Sequence, residues 1–388
     1  MKKSITIIGP SSRFLSGISY YTTYLSNALS GIYPVNAVLF RKMLPIFLFP
    51  GASRVGTKLS TASYNKSVIV QECIDWYNPV SWYHAYTTAL QSRVCIFEWW
   101  TSSVAHMYLI IGFLLKCRKI PIILEFHEVV DTMEEAILPL RMYSKIMGRM
   151  IRNLASQYIV HSEQDRHLVA ERYNIPLDQI TVIPLGLYDQ YPKIEQKTAR
   201  QHLGITTSHV ILFFGLLRPY KGVTYLIHAF EQLPESLKND TTLIIAGEPW
   251  EDHETISLAT TSEDHGIIRL FSEYIDDNEV PNFFSSADVL VLPYTRASQS
   301  AVAHIGISYG MPIIASKVGG LIESLGKYDG TFFVSPQNTA ELSEMLLKVL
   351  TAESTHYSIP ASLRWSGIAD IWRQSIEKEE STSSSSKM

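Results

Sequence analysis

Arg218 and Lys221 stand three residues apart in "GLLRPYKG", residues 215–222, fenced by Gly215 and Gly222. The apolar run Val210–Phe214 precedes them and "VTYLIHAF" follows, so the pair falls between a strand and the start of a helix. In parallel α/β sheets, ligands bind beyond the carboxyl ends of strands. A helix starting near Gly222 aims free N–H groups and the positive end of its dipole at the same spot. Two cations there suit a diphosphate, although a solvated turn would account for them equally well taken alone. Other loops add weight. The small-residue turn Ala297–Ser300 follows "VLVLPY" and opens a helix, so the backbone amides of Ser298, Gln299, Ser300 and Ala301 make a second anion cradle. "GEPW", Gly247–Trp250, follows the strand ending at Ala246, and "SGIS", Ser16–Ser19, opens a helix after the first strand.

These loops need strands to hold them. Apolar or β-branched runs predict strands at Ile5–Ile8, Ser67–Val70, Val94–Phe97, Pro121–Phe126 and Gln157–Val160. "TVIPLGLYDQYPK" closes this half with Pro184, Gly186 and Pro192. The pattern restarts at Val210–Phe214, Thr242–Ala246, Ile267–Phe271, Val289–Leu292, Pro312–Ala315 and Thr331–Val334. Helical stretches lie between, so the expected architecture is two doubly wound parallel α/β sheets in series, facing one another across a cleft. With 388 residues, two domains are also the expectation from length. The divisions read from the sequence are a first domain over 1–186, a linker over 187–205 and a second domain over 206–361. A final helix over 362–380 carries Trp365, Ile368, Ile371 and Trp372 at helical spacing and is a candidate to cross back to the first domain. The tail 381–388, rich in serine, is expected to be disordered.

The net charge of −4 conceals an asymmetry: residues 1–200 hold 21 Lys/Arg against 14 Asp/Glu, for +7, and residues 201–388 hold 12 against 23, for −11. A basic front half points to an anionic partner such as a phospholipid surface or a phosphorylated acceptor, with plain solubility as the alternative. Arg141, Lys145, Arg149 and Arg152 recur at helical spacing among Met142, Ile146, Met147, Met150 and Ile151, giving a basic amphipathic helix that either lies on anionic lipid or packs on its own sheet. "LFRKMLPIFLFPG", Leu39–Gly51, is a second lipid-facing candidate. The run from Ser103 is broken by Lys116, Arg118, Lys119 and Pro121, too short to span a bilayer, which takes about 20 residues. "MKKSITIIG" reads as a strand and not as a cleavable leader. Three cysteines with no CxxC pair argue for a reduced cytoplasmic setting, and the two lipid-facing candidates for peripheral attachment at the inner face of the membrane.

Other chemistries fit less well. "GISYG", Gly306–Gly310, satisfies GxSxG, but a strand follows it at once where a nucleophile elbow needs a helix. "GPSSRFLSG" supplies no GxGxxG after the first strand. "DDNE", Asp276–Glu279, reads as a solvated helix start in preference to a metal site, and cations are not interleaved with aromatics as nucleic-acid binding requires.

In order, "GLLRPYKG", "AGEP", "ADVLVLPY" and "SYGMPIIASKVGGLIE" resemble the C-terminal half of family 4 glycosyltransferases of the GT-B fold, in particular the subset written FFGxxRPYKG. "GIS" at 17, "EWWTSS" at 98, "FHE" at 126, "IVHSEQD" at 159 and "VIPLG" at 182 resemble the N-terminal half, so the likeness covers roughly residues 4–376. It implies a nucleotide-diphosphate sugar donor, with Arg218 and Lys221 on its diphosphate and no metal or other cofactor. By the same resemblance His127 hydrogen-bonds the donor sugar at the reaction face, and Gly17 lets the first loop approach the diphosphate and the acceptor. Gly215, Glu248 and the 298–301 turn complete the donor pocket, and the backbone near Tyr274 and Ile275 faces the base.

The sequence also departs from the family pattern. Leu216 stands where most members carry arginine, leaving its work to Arg218. The family's two glutamates fall on Ala297 and Ile305; Gln299 and Ser300 replace them, and His304 lies where the subset often has glutamine. The implied reaction is a retaining, metal-independent transfer of a hexose from a UDP- or GDP-sugar to a glycolipid, lipid-linked oligosaccharide or polysaccharide, with the leaving phosphate taking the acceptor's proton. A soluble sugar or sugar-phosphate acceptor, and a relative that binds sugar nucleotides without turnover, are the alternatives.

Overall fold

The computed structural model describes residues 3–43, 55–57, 60–129, 138–250, 252–262, 267–353 and 355–385. The chain divides into two compact units, one of Met1–Gly186 with Ser362–Met388, the other of Leu187–Ala361.

The N-terminal unit is a seven-stranded sheet in the order β3-β2-β1-β4-β5-β6-β7. Its strands are β1 (Ser4–Pro10), β2 (Val35–Lys42), β3 (Val68–Asp75), β4 (Ser92–Trp99), β5 (Ile122–Phe126), β6 (Gln157–Val160) and β7 (Ile180–Val182). Every pairing is parallel. That is the outcome of short apolar strands joined by helical crossovers, since a parallel sheet must be covered on both faces. One face packs under helices Pro79–Ala89, Ala105–Cys117 and Leu138–Arg152, with Phe40, Phe97, Leu124 and Tyr108 in its core. The other packs Ile5, Ile7, Ile96 and Ile159 against helix Gly17–Ser30 and against Ile368, Trp372 and Ile376 of the final helix, Trp365–Ser385. Trp372 is fully buried.

The C-terminal unit is a six-stranded sheet in the order β10-β9-β8-β11-β12-β13. It comprises β8 (His209–Phe214), β9 (Thr241–Ala246), β10 (Ile268–Phe271), β11 (Val289–Leu292), β12 (Ile313–Ser316) and β13 (Thr331–Val334), all parallel.

Three expectations change. Strand β2 was not legible as a strand, and it absorbs the start of the lipid-facing candidate: Leu39 and Phe40 are fully buried in it, while residues 44–51 lie outside the described residues. Its one polar interior residue, Asn36, donates to the hydroxyl of Ser4 at 3.2 Å. Strand β7 falls in the stretch read as a closing loop, and at three residues it carries no periodicity. The helix from Trp365 runs on through Ser385, so the serines expected as a disordered tail are helical up to that point, continuing a helix already seated on the sheet; residues 386–388 lie outside the described residues.

Candidate functional site

In the C-terminal unit the carboxyl ends of neighbouring strands deliver the loops to one edge. β8 lies between β9 and β11, so the loop 215–222 sits between "GEPW" and the 293–300 turn. A short 3₁₀ turn, Pro219–Lys221, leads into Gly222 at φ +65, which starts helix Val223–Glu231. A Cβ on Gly222 would overlap the carbonyl oxygen of Pro293, so only glycine permits both the left-handed turn and the approach of the β11 loop. Gly222→Ala should therefore push the two loops apart; the expected result is a drop of several degrees in melting temperature together with loss of nucleotide-sugar binding by calorimetry.

The cations are held by aromatic faces. Lys221 Nζ lies 3.9 Å from the centroid of the Tyr294 ring, and Arg218 Cζ lies 4.5 Å from that of Trp250. Both cations are half-buried. Tyr294, fully buried, places its hydroxyl 3.3 Å from that of Ser300. Ser300 caps helix Ala301–Tyr309 by accepting from the Ala303 amide, and so ties Lys221 to the second anion cradle. Trp250 donates through its indole N–H to Glu248 Oε2 at 3.1 Å, and Leu217 and Pro249 form an isolated parallel bridge. Arg218, Glu248 and Trp250 are thus one packed group. On the far side of the cradle, the Gly320 amide donates to the Ala297 carbonyl at 3.1 Å, opening helix Gly319–Leu325 against the turn.

The remaining predicted residues of this unit fall along the same edge or behind it. Gly215, at φ +110, follows β8, and Tyr274 and Ile275 follow β10, half-buried. Ser298, Gln299 and Ala301 flank Ser300 at the helix start. His304 lies one turn inside that helix and is fully buried. Ser308 of "GISYG" also lies in the helix, with its hydroxyl bonded to the Ile305 carbonyl at 2.7 Å, so no nucleophile elbow exists there. In "DDNE", Asp277 is buried and accepts from the Tyr191 hydroxyl at 2.9 Å.

In the N-terminal unit, Gly17 is exposed as the first residue of helix Gly17–Ser30, whose cap, Ser16, exchanges hydrogen bonds with Ser19. His127 follows β5. Its side chain is 5% exposed, and its ring nitrogens face other side chains of the unit. Nδ1 is 3.2 Å from His161 Nε2, and Nε2 is 3.8 Å from Glu125 Oε2.

One backbone carbonyl fixes this array. His161 Nδ1 is 2.9 Å from the Ile183 oxygen, which can only accept, so Nδ1 carries the proton. Burial pushes the His161 pKa down to about 4 and that of His127 well below its usual range, so both rings are neutral near pH 7. His161 Nε2 then accepts, His127 Nδ1 donates to it, and His127 Nε2 is left bare before Glu125. The Tyr21 hydroxyl donates to Glu125 Oε1 at 2.6 Å. Glu98, adjacent to Glu125 across β4 and β5, accepts from Thr22 at 2.5 Å. Both carboxyls are fully buried. Burial raises Glu125 to about 8; burial first, and the neighbouring Glu125 second, raise Glu98 well above the carboxylate range. The pair is therefore largely protonated at neutral pH, and Glu125 Oε2 faces His127 Nε2 with neither atom in a hydrogen bond. Gly9 makes room for this: a Cβ there would overlap the Glu98 carboxyl.

Glu125, His127 and His161 bring ligand-type atoms within 4.8 Å of one another, the one such group of three among the described residues. A cation there would have to displace the His127 to His161 hydrogen bond.

Glu98, Glu125, His161 and Tyr21 were given no role from sequence. The available signal was an acid near the end of each of two apolar strands, "CIFEWW" and "IILEF". Tyr294 and Trp250 carried no signal beyond lying in loops after strands.

Two parallel-sheet units with loops converging on a carboxyl edge define an α/β protein of the GT-B architecture. Solved structures agree: HepE from Anabaena in complex with UDP-glucose superimposes with a TM-score of 0.66 over 99% of each chain at 16% identity. Residues 195–362 match the family model of the glycosyl transferases group 1. Among its relatives are an uncharacterized glycosyltransferase of Methanocaldococcus jannaschii, 27% identical over 50% of this chain and 51% of its own length. The lipopolysaccharide glucosyltransferase WaaG of Escherichia coli is 27% identical over 47% and 49%. The chain spans about half the length of these curated relatives.

Proposed function

We propose that the protein is a retaining hexosyltransferase that takes its sugar from a UDP- or GDP-sugar and passes it to a lipid-linked or polysaccharide acceptor at the cytoplasmic face of a membrane. The observation that carries this reading is the placement of Arg218 and Lys221 on aromatic supports at one sheet edge, beside the Ser300-capped helix. In this scheme the diphosphate lies against both cations and the 298–301 amides, and the cations neutralise charge that grows on the leaving nucleoside diphosphate. They do so without a resident metal. The acceptor hydroxyl attacks on the face the diphosphate leaves, and a phosphate oxygen takes its proton. Glu248 and Gln299 hold the sugar, the backbone near Tyr274 and Ile275 faces the base, Gly17 borders the acceptor, and His127 turns its bare Nε2 from Glu125 to a sugar hydroxyl. HepE bound to UDP-glucose and the lipopolysaccharide enzyme WaaG support the donor and acceptor classes as relatives, at the identities given above.

Thermal shift with UDP-, GDP- and ADP-sugars tests the donor. A ligand at a hundred times its Kd stabilises by about 2.7 kcal/mol, which at this chain length raises the melting temperature by several degrees. One base should stand out, and a flat response to all three sinks the reading. A second reading follows from Ala297 and Ile305 standing where the family carries glutamates: binding without turnover. Release of the nucleoside diphosphate in the presence of an acceptor extract excludes it.

A further inference from the structure

We propose that helices Pro79–Ala89, Ala105–Cys117 and Leu138–Arg152 together form a face that docks on an anionic lipid surface. This deepens the membrane placement proposed above, but it can be tested without donor or acceptor.

The three helices form one layer. Each contributes to the same core on one face of the N-terminal sheet, through Trp82 and Tyr86, Met107 and Ile111, and Ile151 respectively. The middle helix packs against both others. Their inner sides are satisfied, so the apolar residues on their outer sides are not needed for the core. Those outer residues are large. Val80 is 76% exposed and Tyr83 63%, on the first helix. Phe113 and Ile110 are exposed on the second. On the third, Met142, Ile146 and Met150 recur every four residues, all exposed, while Tyr143, Met147 and Ile151 pack inward. The sequence left open whether this helix packs its apolar side on the sheet or keeps it for lipid; it has an apolar row in each direction.

Charge names the partner. The three helices together contain no Asp or Glu, in a chain with 37 of them. They carry Lys116, Arg141, Lys145 and Arg149, all exposed, and Arg118 and Lys119 follow directly; Arg152 is half-buried over the Tyr173 ring and is not part of the face. A face with apolar side chains outward, cations beside them and no acid within its helices matches an interface where acyl chains meet anionic headgroups. No helix among the described residues is long and apolar enough to cross a membrane, so the helices lie on the surface.

Co-sedimentation with sonicated vesicles tests this. The full chain should pellet with vesicles of equal parts phosphatidylcholine and phosphatidylglycerol at low salt, and far less with phosphatidylcholine alone or at high salt. The double variant Lys145→Glu, Arg149→Glu should lose at least tenfold in binding. Phe113→Ser with Ile146→Ser should lose a similar amount; all four positions are exposed, so a melting curve with the selected sugar nucleotide should stay at its wild-type shift. The proposal is overturned if the wild-type chain stays in the supernatant, or if both variants pellet as wild type does. It is equally overturned if the serine variant changes only the oligomeric state in size exclusion, because the face then joins copies of the chain. Vesicle binding with no response to any nucleotide sugar would instead count against the transferase reading alone.

Discussion

Lys221→Ala is expected to lose about 10²–10³-fold in kcat, the effect of removing one group that stabilises developing charge in a transition state. Folding should barely change. The side chain is half-buried at a helix mouth, and its contact with the Tyr294 ring is worth about 0.5–1 kcal/mol, so the melting temperature should fall by no more than a few degrees. Lys221→Arg gives the sharper comparison. It keeps the charge but replaces a compact ammonium with a planar fork that stacks flat on Tyr294 and presents its donors differently. Partial recovery in Arg and none in Ala would show that charge at this position carries the effect. The measurement is nucleoside diphosphate release with the donor selected by thermal shift. Turnover of Lys221→Ala within threefold of wild type would remove Lys221 from the chemistry.

Stability should peak on the acid side of neutrality, through the Glu98, Glu125, His127 and His161 array. Glu125 has a folded pKa of about 8, above its ordinary 4.5. Its contribution is therefore complete below about pH 4.5 and is lost as the pH climbs to about 8, because the unfolded chain releases the proton first. The histidines act in the other direction. His161 falls from 6.5 to about 4, so its contribution is complete above 6.5 and is lost as the pH drops through 4. The groups facing Glu125 are the Tyr21 hydroxyl from the first helix, Glu98 from β4 and the two imidazoles. Glu125→Gln keeps an acceptor for Tyr21 and offers an N–H toward His127 while removing the titration. The variant should be more stable than wild type near pH 8, by a few kcal/mol in denaturant titration, and should converge with it near pH 5, leaving a smaller alkaline fall from Glu98. Parallel profiles for the two proteins would mean that Glu125 is ionised in the fold. Glu125→Ala should be severely destabilised at any pH, since it leaves the Tyr21 hydroxyl without its acceptor in the core.

Much of the C-terminal unit was legible in the chain. Its six strands each show as an apolar run because a parallel strand is covered on both faces, and its loops announce themselves by glycine, proline and small residues placed after those runs. The N-terminal unit was harder. β2 merges with the apolar segment that follows it, and β7 is too short to have a period. The placement of Arg218 and Lys221 after a strand could be read directly, because sequence order fixes which end of a strand a loop occupies. Which aromatic ring would carry each cation could not, since Trp250 and Tyr294 reach them from other strands. The same limit applies to His127: its position after β5 was readable, but the orientation of its ring depends on His161 and on the Ile183 carbonyl, 34 and 56 residues away. Buried acids are the clearest missed signal, for a glutamate inside an apolar strand is costly unless it is protonated or paired.

The final helix carries a consequence for how the protein is made. The unit of residues 187–361 is one unbroken stretch and can close its sheet as soon as it leaves the ribosome. The sheet begun by β1 cannot: Ile5 and Ile7 wait for Ile368, Trp372 and Ile376, which are synthesised after the entire other unit. Assembly therefore runs against the order of translation. The nascent front half must persist with that side of its sheet covered only by helix Gly17–Ser30, which makes the interval the point at which chaperone capture or aggregation would compete with folding.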